Sequence, residues 1–203
     1  VIARLPLLLV LPVVLAAGPS RAGEIVQEDT GIAFPETVAV ADDGTTYALR
    51  ATGVGLREAT FLKINVYAAV SYVDASADLG KDPAEGLIAC ECARRIRMDF
   101  VRTVSAEDIV GAFRDGVKKN YGEEIGAFAD DLETFLAYFD REVEEGQVIE
   151  LTYLPGPGLA TVVAGEGRPS IGSPALARAL WAIWFGEKPV SGGLKRDLLS
   201  ALR

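Results

Sequence analysis

Histidine is absent from all 203 residues of the chain. That absence removes Ser-His-Asp and Cys-His nucleophilic machinery and every histidine-ligated metal centre. Cysteine is nearly absent too: Cys90 and Cys92 stand alone, as Cys90-Glu91-Cys92. Two thiols without histidine fall short of the four ligands that a structural zinc site takes, and no cofactor is expected. In an extended strand the two thiols would share a face and a bridge between them would be strained, so the expectation is two small side chains packed on a sheet. Any catalysis here must rely on Arg, Lys, Tyr, Asp or Glu.

Positive charge is also scarce. Twenty Lys+Arg face 29 Asp+Glu, a net charge of −9, which disfavours nucleic acid and anionic membrane surfaces as partners. No apolar run reaches the roughly 20 residues of a membrane-spanning helix. The longest, Leu5 to Ala17, is broken by Pro6 and Pro12. Residues 1–22 contain Arg4 and no acid, and Ser20 and Ala22 supply small side chains before Gly23, a pattern that predicts an export signal cleaved after Ala22 or near Ala17. Cleavage there removes Arg4 and Arg21 and leaves a more acidic mature chain with no membrane span. The remaining 23–203 have the length of one domain with a full hydrophobic core.

Alternation and turn residues organise that domain. Thr37 to Val40 and Thr45 to Arg50 flank an Asp-Gly turn, a hairpin signal. Further strands are expected over Phe61 to Val73 and Leu87 to Arg102, the latter with Ile88, Cys90, Cys92, Arg94, Ile96, Met98 and Phe100 on one face. Along the former, Leu62, Ile64, Val66, Ala68, Val70 and Tyr72 share a face suited to a core. Phe61, Lys63, Asn65, Tyr67, Ala69 and Ser71 share the other, which mixes apolar bulk with polar tips as a ligand cleft does. Ser105 with Glu107 and Asp108 reads as the start of a helix to about Asn120, with Ile109, Ala112, Phe113, Gly116 and Val117 as its apolar stripe. A second helix is expected from about Ile125 to Val143 with a solvated acidic face, then a hairpin through Pro155-Gly156-Pro157-Gly158. A helix from Ser173 and a short one from Leu194 to Arg203 complete the chain. The order implies an α+β domain with an antiparallel sheet.

Gly53-Val54-Gly55-Leu56-Arg57-Glu58 holds the most suggestive chemistry. A guanidinium offers paired donors to a carboxylate, and the phenol of Tyr67 adds another. In a regular hairpin between Tyr47–Leu56 and Phe61–Val73, however, Tyr67 would lie about 20 Å along its strand from Phe61, far from Arg57. Trp181 and Trp184 read as helix packing.

These stretches, with Lys63-x-x-x-Tyr67-Ala68-Ala69-x-x-Tyr72-Val73, Phe100-Val101-Arg102-Thr103-Val104-Ser105, Leu154-Pro155-Gly156-Pro157-Gly158-Leu159 and Ala179-Leu180-Trp181-x-x-Trp184-Phe185-Gly186-Glu187-Lys188-Pro189-Val190-Ser191, resemble the chalcone isomerase superfamily. The likeness runs from about Val38 to Arg203 and is greatest to bacterial chalcone isomerase-like proteins, relatives of the plant isomerases and of plastid fatty-acid-binding proteins. It implies an open-faced β-sandwich, a large antiparallel sheet covered by helices with a cleft between them. For a bacterial member with an export signal it also implies the periplasm.

In the plant enzymes of that superfamily, cleft residues assist an intramolecular cyclisation. Their arginine falls on Arg57, their threonine on Tyr67, their helix tyrosine on Ile109, their asparagine on Gly116 and a further threonine on Ile183. Only the arginine is kept. Each lost donor to a developing enolate is worth about 2.7–4 kcal/mol, so an efficient isomerase is not expected, although Arg57 would be the catalytic residue of one acting on an enone-like, chalcone-type substrate. The fatty-acid-binding branch pairs an arginine with a tyrosine, as Arg57 and Tyr67 do. The resemblance therefore implies a non-catalytic, exported protein that binds a small amphipathic carboxylate such as a fatty acid through Arg57 and Tyr67, with Ile109, Gly116 and Ile183 lining the cleft. It identifies no protein partner.

Overall fold

The computed structural model describes residues 23–59 and 64–202, excepting the side chain of Glu123. The expected export signal and residues Phe61, Leu62 and Lys63 of the expected strand lie outside them.

Seven strands form one antiparallel sheet in chain order: β3 (Thr37–Asp42), β4 (Thr45–Ala59), β5 (Ile64–Asp74), β6 (Arg94–Phe100), β7 (Val148–Leu154), β8 (Gly158–Val163) and β9 (Glu166–Ile171). Two short strands, β1 (Glu24–Val26) and β2 (Ala33–Pro35), pair separately. Among the described residues five α-helices cover one face: α1 (Pro83–Ala89), α2 (Ala106–Tyr121), α3 (Ala129–Leu136), α4 (Pro174–Phe185) and α5 (Gly192–Leu198). This is the expected α+β architecture, an antiparallel sheet open on one side and covered by helices on the other.

Side-chain alternation divides the core in two. Ala69, Val73, Ile96, Met98, Phe100, Ile149 and Leu151 point to the helices and meet Phe113, Leu132, Phe135, Leu180 and Trp184 there. Ala68, Val70 and Tyr72 point the other way, where Phe34 of β2 seals them with Leu49 and Ala51; the Tyr72 hydroxyl donates to the Pro35 carbonyl at 2.9 Å. The main core therefore lies on the Tyr67 and Ala69 face of β5, the one expected to be only a cleft. Ile64, assigned to the core face, is exposed.

Local chemistry explains where the elements begin. Ser105, Ser173 and Ser191 cap α2, α4 and α5, each accepting a backbone N–H through its hydroxyl. Asp82 caps α1 with Pro83 in its first turn. That helix corrects the expected strand: extended structure begins only at Arg94, and Leu87 is buried by helix periodicity. The cysteines are corrected with it. Cys90 follows the end of α1, the chain turns through Glu91, and the Cα atoms of Cys90 and Cys92 come within 5.2 Å, the span of the disulfide that joins them. The expected helix from Ile125 to Val143 is a 3-10 segment, Gly122–Phe128, followed by the shorter α3. Its apolar residues Phe128, Leu132, Phe135, Leu136 and Phe139 are all buried as its periodicity requires. Strand β9 was not foreseen, because Gly167 and Pro169 break its pattern; it pairs with β8 through a register shift.

The two glycines before Arg57 position α5. Thr52, the extra residue where β4 shifts register against β5, donates its hydroxyl to the Leu198 carbonyl at 2.7 Å. At Gly53, φ is +152° and an added Cβ would lie 2.1 Å from the Asp197 carbonyl oxygen; at Gly55 it would lie 2.8 Å from a Leu194 methyl. Helix α5 can lie on β4 only because both side chains are missing.

Candidate functional site

Strand β4 continues past the glycines to Ala59, which resolves the distance problem between Arg57 and Tyr67. The two are direct cross-strand partners. The next pair is Glu58 with Asn65, so Val66 is the extra residue of a β-bulge. The bulge turns Val66 and Tyr67, adjacent in sequence, toward the same cavity.

That cavity has a volume of about 340 Å³ and lies between the sheet and helices α2 and α4. Its sheet wall is Val66, Tyr67, Met98, Phe100 and Ile149. Ile109, Ala112 and Phe113 of α2, Ile183 and Trp184 of α4, and Val190 complete an apolar body. Polar groups gather at one end: Arg57, Arg102, Thr103 and Asp108. Val190 is held there by its N–H to the Ile183 carbonyl at 2.7 Å. Asn120 of α2 ties the same loop down through Lys188, its amide donating to one backbone group and accepting from the other at 3.2 Å.

Tyr67 sits where the polar and apolar parts meet. Its ring packs on Phe100 with centroids 5.5 Å apart, and its hydroxyl oxygen accepts the indole N–H of Trp184 at 3.1 Å. Burial pushes its pKa up, opposed by the Trp184 hydrogen bond and the positive charge of Arg57. The phenol is therefore neutral at physiological pH. Its one acceptor role is taken by Trp184, and its own proton has no acceptor among the described residues. Arg57 donates one guanidinium N–H to the Glu58 carbonyl, leaving others for a ligand.

Of the residues singled out in the sequence, Arg57, Tyr67, Ile109 and Ile183 line this one cavity. Gly116 does not reach its wall. It lies behind Ile183, where an added Cβ would be 3.0 Å from two Ile183 carbons, so its role is the close approach of α2 to α4. Trp184 packs in the core as expected, 2% exposed, and its indole N–H also orients Tyr67. The available signal was chemical: a buried indole N–H needs an acceptor, and Tyr67 is one of few polar groups in an apolar stretch. Among the described residues no group of three or more Cys, Asp or Glu is placed to hold a metal ion, and no helix is long and apolar enough to cross a membrane.

A family profile described as "Chalcone isomerase-like" matches residues 26–200. The chain belongs to the chalcone isomerase-like family. A curated relative, fatty-acid-binding protein 1 of Arabidopsis thaliana, is 25% identical over 199 residues, covering 86% of this chain and 69% of that protein. The crystal structure of an Arabidopsis thaliana fatty-acid-binding protein superposes with a TM-score of 0.70 at 23% identity, over 89% of this chain and 100% of the other. This second likeness establishes the shared fold.

Proposed function

We propose that this chalcone isomerase-like protein is a non-catalytic binder of a small amphipathic carboxylate such as a fatty acid. The observation that carries the proposal is the direction of the hydrogen bonds at Tyr67: Trp184 donates to its oxygen, so its own O–H is left to donate, beside the unspent N–H groups of Arg57. A carboxylate takes both kinds of donor, with a charge-assisted bond to the guanidinium. An acyl chain would then run between Phe100, Ile109, Phe113 and Ile183. The cavity stands at the low end of the roughly 300–1,000 Å³ common for small-molecule pockets, which favours short or folded chains. The relationship to a protein named for binding fatty acids supports the same class.

The alternative, an intramolecular lyase or isomerase acting on an enone-like substrate, would use Arg57 as electrophile and Tyr67 as proton donor. Burial opposes it by making Tyr67 a weaker acid, and the helix positions that would supply further donors are Ile109 and Gly116. We also propose that the protein acts outside the cytosol after export by residues 1–22; a disulfide suits an oxidising compartment.

The test is native mass spectrometry of the purified protein for co-purified lipid, followed by titration with fatty acids and their methyl esters. Fatty acids should bind and esters should not. Arg57→Ala should weaken fatty-acid binding by roughly 10- to 100-fold, since a hydrogen bond to a charged group contributes about 1.5–3 kcal/mol. No acyl-chain binding, or chalcone cyclisation abolished by Arg57→Ala, would overturn the proposal.

A further inference from the structure

Arg94 is the first residue of β6, at the opposite end from the cavity and about 20 Å along the strand from Phe100 at ~3.3 Å per residue. It is only 1% exposed, yet no carboxylate pairs with it among the described residues. Its guanidinium lies between two rings, 4.5 Å from the centre of Tyr153 and 4.8 Å from that of Trp181. One Nη donates to the Cys90 carbonyl and stands 3.4 Å from Cys90 Sγ, while Nε has no partner. A buried cation without an anion is costly and usually explained by something that supplies one. Here the atom in position to do so is a cysteine sulfur.

We propose that Cys90 and Cys92 are a redox-active pair whose reduced form is stabilised by Arg94 holding Cys90 as a thiolate. Both cysteines are half-buried and so within reach of a partner. The reductant is a dithiol, or two small thiols in succession. Its first thiolate attacks Cys92 Sγ; the Cys90–Cys92 bond breaks, and Cys90 leaves as the thiolate facing Arg94. The second thiolate attacks the partner sulfur of that mixed disulfide and releases Cys92, which takes a proton from water. Two electrons pass to the pair and the partner leaves as a disulfide. Attack falls on Cys92 because the sulfur of lower pKa is the better leaving group.

The surrounding charges leave Arg94 dominant. Glu91, between the cysteines, is paired with Arg178 of α4 at 3.4 Å. Tyr153 of β7 and Tyr121 of α2 bring their phenols to the guanidinium, and Arg178 adds a second positive charge nearby. The charged residue of α1, Glu85, is in the first turn, away from Cys90. Burial lowers the pKa of Arg94 to about 10, so it stays cationic at neutral pH.

The experiment follows iodoacetamide alkylation of each cysteine against pH in the reduced, folded protein, with peptide-level mass spectrometry. Cys90 should titrate at least about one unit below the ordinary thiol value near 8.5, and Cys92 at or above that value. Equilibration with glutathione buffers should show the native disulfide reduced without denaturant. At about pH 9, above both thiol pKa values, the [GSH]²/[GSSG] ratio needed in Arg94→Met should rise by close to tenfold, the effect of one pKa unit; Arg94→Lys, which keeps the charge, should lie closer to the parent. Equal, ordinary titration of both thiols would overturn the proposal, and that comparison needs no variant to fold. A disulfide that resists reduction until the protein unfolds would overturn it too. Neither outcome bears on lipid binding at Arg57.

Discussion

Arg57 and Tyr67 are cross-strand partners, and the β-bulge immediately beyond them adds Val66 to the wall of the same cavity. Adjacent strands thereby bring a guanidinium and a phenol to the lining of one cavity. Because Trp184 fixes the phenol from the opposite helix, the proposed ligand would meet an already oriented hydroxyl, which reduces the ordering cost of binding.

Trp184→Phe removes the N–H that fills the Tyr67 oxygen together with part of a buried ring. Stability should fall by about 1–3 kcal/mol, the hydrogen bond and the cavity together. Fatty-acid affinity should fall severalfold, because the Tyr67 hydroxyl becomes free to rotate. Urea denaturation and calorimetric titration measure the two effects; unchanged affinity would deny Trp184 a positioning role.

Gly116→Ala should alter binding more than folding. The new methyl meets Ile183 at 3.0 Å, and Ile183 flanks the cavity, so it has space to yield. The helix-propensity gain of roughly 0.8–1 kcal/mol over glycine offsets the contact. Unfolding free energy should stay within about 1 kcal/mol of the parent, while longer acyl chains lose affinity relative to shorter ones in a chain-length series.

Gly53→Ala should be severe. Its Cβ would collide with the Asp197 carbonyl oxygen at a backbone φ of +152° that alanine rarely adopts. Helix α5 would have to leave β4, exposing Leu194 and Leu198, both buried now. A loss of about 3 kcal/mol or more is expected by chemical denaturation, with faster amide exchange across α5.

Alkaline pH should destabilise the protein through its buried tyrosines. Burial raises the pKa of Tyr67, and raises that of Tyr72 to about 12. The folded state thus holds these protons more tightly than the unfolded chain, where tyrosine titrates near 10. Their contribution is complete below about pH 10 and, for Tyr72, is lost between about pH 10 and 12. Tyr72→Phe should flatten the decline while lowering stability at neutral pH, since the hydroxyl bonds the Pro35 carbonyl. An unchanged alkaline profile in that variant would contradict the assignment.

Much of this was legible in local pattern. The Ser105 cap, the Asp-Gly hairpin and the stripe of α2 are short-range chemistry, and each lies where its residues place it. Periodicity failed where two patterns overlap. Ile88 shares a period of two with Cys90 and Cys92 as in a strand, but Asp82-Pro83 starts a helix that local capping stabilises and that helix swings Cys90 toward Cys92.

The chemistry on offer was legible in the residues alone: no histidine, an arginine beside a pair of glycines, two tyrosines on opposite faces of an apolar strand, and a family likeness spanning them. Which of these groups meet depends on long-range packing. The register of β4 against β5 set Arg57 opposite Tyr67, the bulge aimed Val66 beside it, and the crossing of α2 over α4 at Gly116 carried Trp184 to the phenol. Such contacts join residues up to 117 positions apart, and they depend on how whole faces pack, which no short window of sequence records.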